Sequence, residues 1–123
     1  MRRFLVAAFI TLALTAQTAF AAGDPAAGKL VFVQCSTCHS LVPGKNRIGP
    51  GLHGLIGRKS GTAAGYNYSA AMKNAGIIWN EDTLTRYLAG PKLLVPGNKM
   101  PFLGVPDPQK RADVVAYLMQ ATQ

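Results

Sequence analysis

At 123 residues the chain has room for one small domain and not for a second core. Thirteen lysine and arginine residues face five acidic ones, a formal net charge of +8. The basic residues never gather into a long run, which argues against a nucleic-acid tract, and two cysteines are too few for a disulfide framework.

The chain opens with Arg2-Arg3, an apolar stretch from Phe4 to Leu14, and small residues at Ala19-Phe20-Ala21. That order predicts a secretory signal peptide over residues 1–21, the apolar run being short for a membrane span. The domain is then expected to occupy residues 22–123. Loss of Arg2 and Arg3 leaves it clearly basic, a balance that suits electrostatic steering toward an acidic partner.

Asp24-Pro25 supplies an N-cap and a first-turn proline, so a helix is predicted to about Val33, with Ala27, Leu30 and Val31 on its apolar stripe. Gly28 inside it points to a close helix crossing. At or just past the helix end comes Cys35-Ser36-Thr37-Cys38-His39. Two thiols at this spacing followed directly by histidine form the attachment pattern for haem c, with His39 as the iron's proximal ligand. From Leu41 to Tyr68 glycine and proline are too frequent for regular structure. So long a loop needs a large rigid body to wrap, and a haem would be one.

A short helix is predicted from Ser69 to Ala75, stopped at Gly76. Asn80 caps a third, with Glu81 and Asp82 in its first turn, and Gly90-Pro91 ends it. Lys92 to Pro106 reads as loop. Asp107-Pro108 then starts a last helix to about Gln120, with Val114, Val115, Leu118 and Met119 along one side. No segment alternates convincingly as a strand, so the class is all-α.

The sixth iron position decides what a haem does. Met72 and Met119 sit on predicted helices, where methionine usually fills core gaps, and His53 lies in a loop and is expected to be exposed rather than a ligand. Met100 stands in Pro96-Gly97-Asn98-Lys99-Met100-Pro101, a polar loop with no helix face for it to serve. The pattern favours His39 and Met100 as axial ligands. An open or displaceable sixth position would instead make a peroxidase or gas binder. A zinc site would need His53 beside Cys35, Cys38 and His39, and a thiol-redox module would need βαβ surroundings.

Several motifs in order carry a resemblance: the haem pentapeptide, Gly49-Pro50-Gly51-Leu52-His53-Gly54-Leu55, Gly57-Arg58-Lys59-Ser60-Gly61, Tyr66-Asn67-Tyr68-Ser69, Trp79, and Pro96 to Met100. From Gly28 to Leu118 the chain resembles class I c-type cytochromes, of the mitochondrial cytochrome c and bacterial cytochrome c2 type. The resemblance implies three to five helices wrapped around one haem c, held through Cys35 and Cys38, and a monomeric periplasmic electron carrier rather than an enzyme. It implies that Pro50 accepts a hydrogen bond from His39, and that Arg58, Tyr68 and Trp79 bond a haem propionate. Tyr87 is expected near the methionine sulfur, Asn98 in the methionine loop, Phe102 at the haem edge, and Gly28 and Phe32 against Tyr117 and Leu118. Implied partners are a quinol–cytochrome c oxidoreductase, a terminal oxidase, a photosynthetic reaction centre or a periplasmic dehydrogenase, met through a basic face of Lys45, Arg47, Lys92 and Lys99. Two departures stand out. Met72 replaces an asparagine of mitochondrial members, and Gln34, Leu93, Pro106 and Asp107 fall where those members carry lysine, so docking is expected to depend less on salt.

Overall fold

The computed structural model describes residues 22–123; the signal-peptide expectation for residues 1–21 lies outside them. Five helices follow in order: α1 Pro25–Ser36, α2 Ala70–Asn74, α3 Glu81–Ala89, α4 Pro91–Leu94 and α5 Pro108–Ala121. No strand forms among these residues, and the nearest to one is an isolated bridge between Lys59 and Ile78. None of these helices is long and apolar enough to cross a membrane.

Local chemistry sets the helix starts. Asp24, Ser69, Asn80 and Asp107 each turn a side-chain oxygen onto a free N–H of the first turn, and proline occupies the first turn of α1, α4 and α5. Asn80 and Thr83 bond reciprocally as a capping box. Two expectations need correction. The Lys92–Pro106 segment is not all loop, because Gly90 acts at once as C-cap of α3 and N-cap of α4, where proline restarts the helix instead of only ending the previous one. The first helix runs past Val33 to Ser36 and so carries Cys35 in its last turn.

The inward face of α1 also differs from the expected stripe. Gly28 and Phe32 are buried, with Val31 and Cys35 packed beside them, while Leu30 and Val33 are exposed. Apolar residues run most of the way round this helix, so their spacing could not choose the face; the crossing with α5 does. A Cβ on Gly28 would lie 1.9 Å from the carbonyl oxygen of Asp113 and 2.9 Å from Tyr117 Cβ. Only glycine admits so close a backbone approach. Phe32 packs on Tyr117 with ring centroids 5.2 Å apart, and Val114, Val115 and Leu118 of α5 complete the seam. Residues 41–68 loop around the other side with no helix of their own, and a cavity opens between them, α3 and the segment after α4.

Candidate functional site

The end of α1 builds the first wall of this cavity. The N–H groups of Cys38 and His39 both donate to the carbonyl of Cys35 (3.1 and 3.0 Å), curling the chain so that both thiols and the imidazole reach one space. The following loop is knitted to that turn. Gly49 N–H donates to Cys38 O at 2.8 Å and Leu52 N–H to Ser40 O at 2.8 Å. Pro50 O is thereby brought 2.8 Å from His39 Nδ1. A carbonyl only accepts, so the proton sits on Nδ1 and Nε2 keeps its lone pair for a metal. Burial pushes the imidazole's pKa down, against the Pro50 bond, and the Arg58 charge lowers it further. The ring is therefore neutral, as a ligand must be. Gly49 makes room for it, since a Cβ there would stand 2.5 Å from His39 Cε1. Burial, with a smaller contribution from Cys38, raises the pKa of the Cys35 thiol, and no disulfide joins the two cysteines.

A second contribution comes from the segment after α4. Asn98 is buried; its amide donates to Pro91 O (3.0 Å) and Val95 O (2.9 Å), and its Oδ1 accepts Met100 N–H (2.9 Å). The loop is thus tied to α4, and Met100 turns into the cavity. Trp79 and Tyr87 form an aromatic wall, ring centroids 5.0 Å apart. Burial pushes the Tyr87 hydroxyl up to about 12, so it remains an uncharged donor at any physiological pH.

Every cofactor-binding candidate lines this one cavity: Cys35, Cys38, His39, Pro50, Arg58, Tyr68, Trp79, Tyr87, Asn98, Met100 and Phe102. Arg58 donates to Gly51 O (3.0 Å) and His53 O (3.2 Å), and Tyr68 Oη accepts Ala63 N–H at 3.1 Å. Met72 is also in the lining, buried on α2, whereas Met119 packs on the core and His53 is exposed outside the cavity. Among the described residues no three His, Cys, Asp or Glu side chains form a group that could hold a metal ion, and His53, the fourth ligand a zinc site would need, lies outside the cavity. Lys45, Arg47, Lys92 and Lys99 are all exposed.

Sequence reasoning assigned no role to Gly49, Asn46 or Tyr66. Asn46 accepts Gly51 N–H (2.8 Å) and donates to Ala64 O (2.8 Å), while Tyr66 Oη donates to Ile48 O at 2.9 Å. Gly49 and Tyr66 lie within quoted motifs, but only the folded loops reveal what they touch.

The cavity measures about 580 Å³, within the range of cofactor sites, and its lining is mainly apolar and aromatic. Two thiols, an imidazole that keeps its Nε2 lone pair, a thioether and the Trp79–Tyr87 pair, all lining one apolar cavity, suit a flat apolar macrocycle with a central metal. The residues present fit a haem.

Comparisons with known proteins agree. Residues 25–122 match the family described as cytochrome c. The chain is similar to cytochrome c2 of Rhodomicrobium vannielii, 51% identical over 107 residues, covering 86% of this chain and 84% of that protein. It is 48% identical to cytochrome c2 of Blastochloris viridis over 121 residues, covering 98% and 94%. Among solved structures, cytochrome cH from Methylobacterium extorquens is 46% identical with a TM-score of 0.75, covering 79% of this chain and 98% of the other.

Proposed function

This chain belongs to the cytochrome c family and is a haem c electron-transfer protein, not an enzyme, and we propose that it works in the periplasm with His39 and Met100 as its axial ligands. One haem c is attached through Cys35 and Cys38. The ligand reading is carried by a single observation: the Cys35-Cys38-His39 turn and Met100 open into the same apolar-lined cavity.

When bound, the haem supplies a one-electron Fe(III)/Fe(II) couple. The chain's part is to hold the site still and set its polarity. Pro50 and Gly49 fix the His39 ring in one tautomer and orientation. Asn98 and Pro101 hold the backbone on either side of Met100, the asparagine through a hydrogen bond and the proline by restricting the residue before it. A thioether is a soft, weak donor, so ligation by Met100 favours the reduced state over the oxidised one, and burial of the site acts in the same direction. Tyr87 offers a neutral hydroxyl to the cavity. Arg58, Tyr68 and Trp79 line the cavity, and the propionate is assigned to them because a buried carboxylate needs charge-assisted or multiple hydrogen-bond partners. Partners are other redox proteins, for which a quinol–cytochrome c oxidoreductase, a terminal oxidase and a photosynthetic reaction centre are proposed. The periplasmic location rests on the leader pattern of residues 1–21.

Potentiometric titration of the purified holoprotein tests this reading. A single reversible one-electron wave is expected, together with slow carbon monoxide binding by the reduced form at neutral pH. Rapid carbon monoxide binding would mean an open iron and would overturn the His39/Met100 assignment.

A further inference from the structure

We propose that Lys99 and Tyr66 form a strap at the rim of the cavity, tying the Met100 loop to the loop that supports His39. Both are then positioning residues for the sixth ligand. This rests on the His39/Met100 reading above.

The strap can be followed contact by contact from one proposed ligand to the other. Lys99 directly precedes Met100, and its Nζ donates to Asn67 O while standing 5.3 Å from the centroid of the Tyr66 ring. That separation lies within cation–π range. Tyr66 Oη in turn donates to Ile48 O at 2.9 Å. Ile48 precedes Gly49, whose N–H donates to Cys38 O at 2.8 Å and whose lack of a side chain leaves room for the His39 ring. Ile48, Tyr66 and Lys99 all line the cavity, yet Ile48 and Lys99 are exposed and Tyr66 is half-buried, which places the three at its rim.

The two ends of the strap are not held equally. On the histidine side a second bond runs in parallel, from Asn46 Nδ2 to Ala64 O at 2.8 Å, and Tyr66 also packs edge-on against Tyr68 with ring centroids 4.8 Å apart. The segment around Tyr66 is therefore a fixed anchor. On the methionine side Asn98 ties the loop from within, through the Met100 N–H, and the Lys99 ammonium ties it from the solvent side. A surface lysine ordinarily keeps its charged head in water. Here one ammonium meets a carbonyl and a ring face together, and its own backbone adjoins the ligand. Removing it should free the outer side of the loop and leave the histidine side in place. Met100 would still bind the iron at rest but would let go of it sooner.

The test uses the oxidised, matured holoprotein mixed with saturating imidazole, so that release of the methionine sulfur limits the rate of its replacement. Loss of the far-red sulfur band is followed in time. Lys99→Met and Tyr66→Leu are each expected to speed that loss about tenfold, whereas Lys99→Arg, which keeps a cation over the ring, should stay near wild type. Because the two residues act as one unit, the double variant Lys99→Met/Tyr66→Leu should be no faster than the faster single variant. Lys73→Met removes an exposed charge from α2 outside the strap and should leave the rate unchanged. Wild-type rates in both single variants, or a double variant whose acceleration is the product of the two, overturn the strap. So does an equal acceleration in Lys73→Met, which would reduce the effect to net charge. Absence of the far-red band from the wild type before imidazole is added would overturn the axial-ligand reading itself, and the strap with it.

Discussion

Asn98 is only 4% exposed, and its side chain makes three hydrogen bonds. Two of the three groups it serves have other partners: Pro91 O also accepts Val95 N–H at 3.0 Å, and Val95 O also accepts Asn98 N–H at 3.1 Å. The Met100 N–H has only the Asn98 carboxamide. Asn98→Ala therefore orphans one part-buried donor and leaves a small cavity, a cost of at most about 1–3 kcal/mol for the donor. Because that donor belongs to the proposed ligand, the damage should reach the iron. Thermal unfolding should show the loss of stability, and the spectrum of the oxidised variant should show weakened sulfur ligation. Loss of stability with an untouched spectrum would make Asn98 a packing residue only. His39 is governed in the same way by its neighbours, Pro50 and Gly49, rather than by its own sequence position.

The α1–α5 crossing shows how elements are joined end to end. Asp24 caps α1 by accepting Ala26 N–H at 2.9 Å, and its own N–H donates to Asp113 of α5 at 2.8 Å. Gln109 Nε2 donates to the same Asp113 oxygen at 3.0 Å. The Asp24 backbone bond, then the Gln109 bond, hold the Asp113 carboxyl below the usual carboxylate range. A carboxyl whose pKa is lower folded than unfolded adds stability above its unfolded value and loses that contribution as pH falls through its folded value. Acid unfolding should therefore steepen below the ordinary aspartate range, and Asp113→Asn should flatten that part of the curve. Equilibrium unfolding across pH decides it, and identical acid limbs in variant and wild type would contradict it. Most elements were legible in advance because caps are local: Asp24-Pro25, Ser69, Asn80 and Asp107-Pro108 mark their starts in the sequence itself. The inward face of α1 was not legible, since Leu30 and Val33 are as apolar as Val31 and only contact with α5 distinguishes them. Nor was α4, because Gly90-Pro91 stops one helix and starts another with the same two residues.

At the scale of the whole molecule, a chain with little regular structure between residues 41 and 68 wraps its loops around a cavity of about 580 Å³. Eleven cofactor-binding candidates spread from Cys35 to Phe102 converge on that space. Their convergence was readable because the motifs fall in family order; the hydrogen bonds that aim them, such as Asn46 to Ala64 and Tyr66 to Ile48, link loop positions 18 residues apart and leave no mark in local spacing. Charge divides the surface likewise, with carboxylates at helix starts and exposed lysines beside the cavity wall. The central claim is that this arrangement closes the iron between His39 and Met100. The absorption spectrum of the oxidised holoprotein, recorded for wild type and Met100→Ala, tests it most directly. A low-spin spectrum is predicted, with the weak far-red band of sulfur-to-Fe(III) ligation present in wild type and absent in Met100→Ala; a high-spin five-coordinate wild type, or a band that survives the substitution, would contradict it.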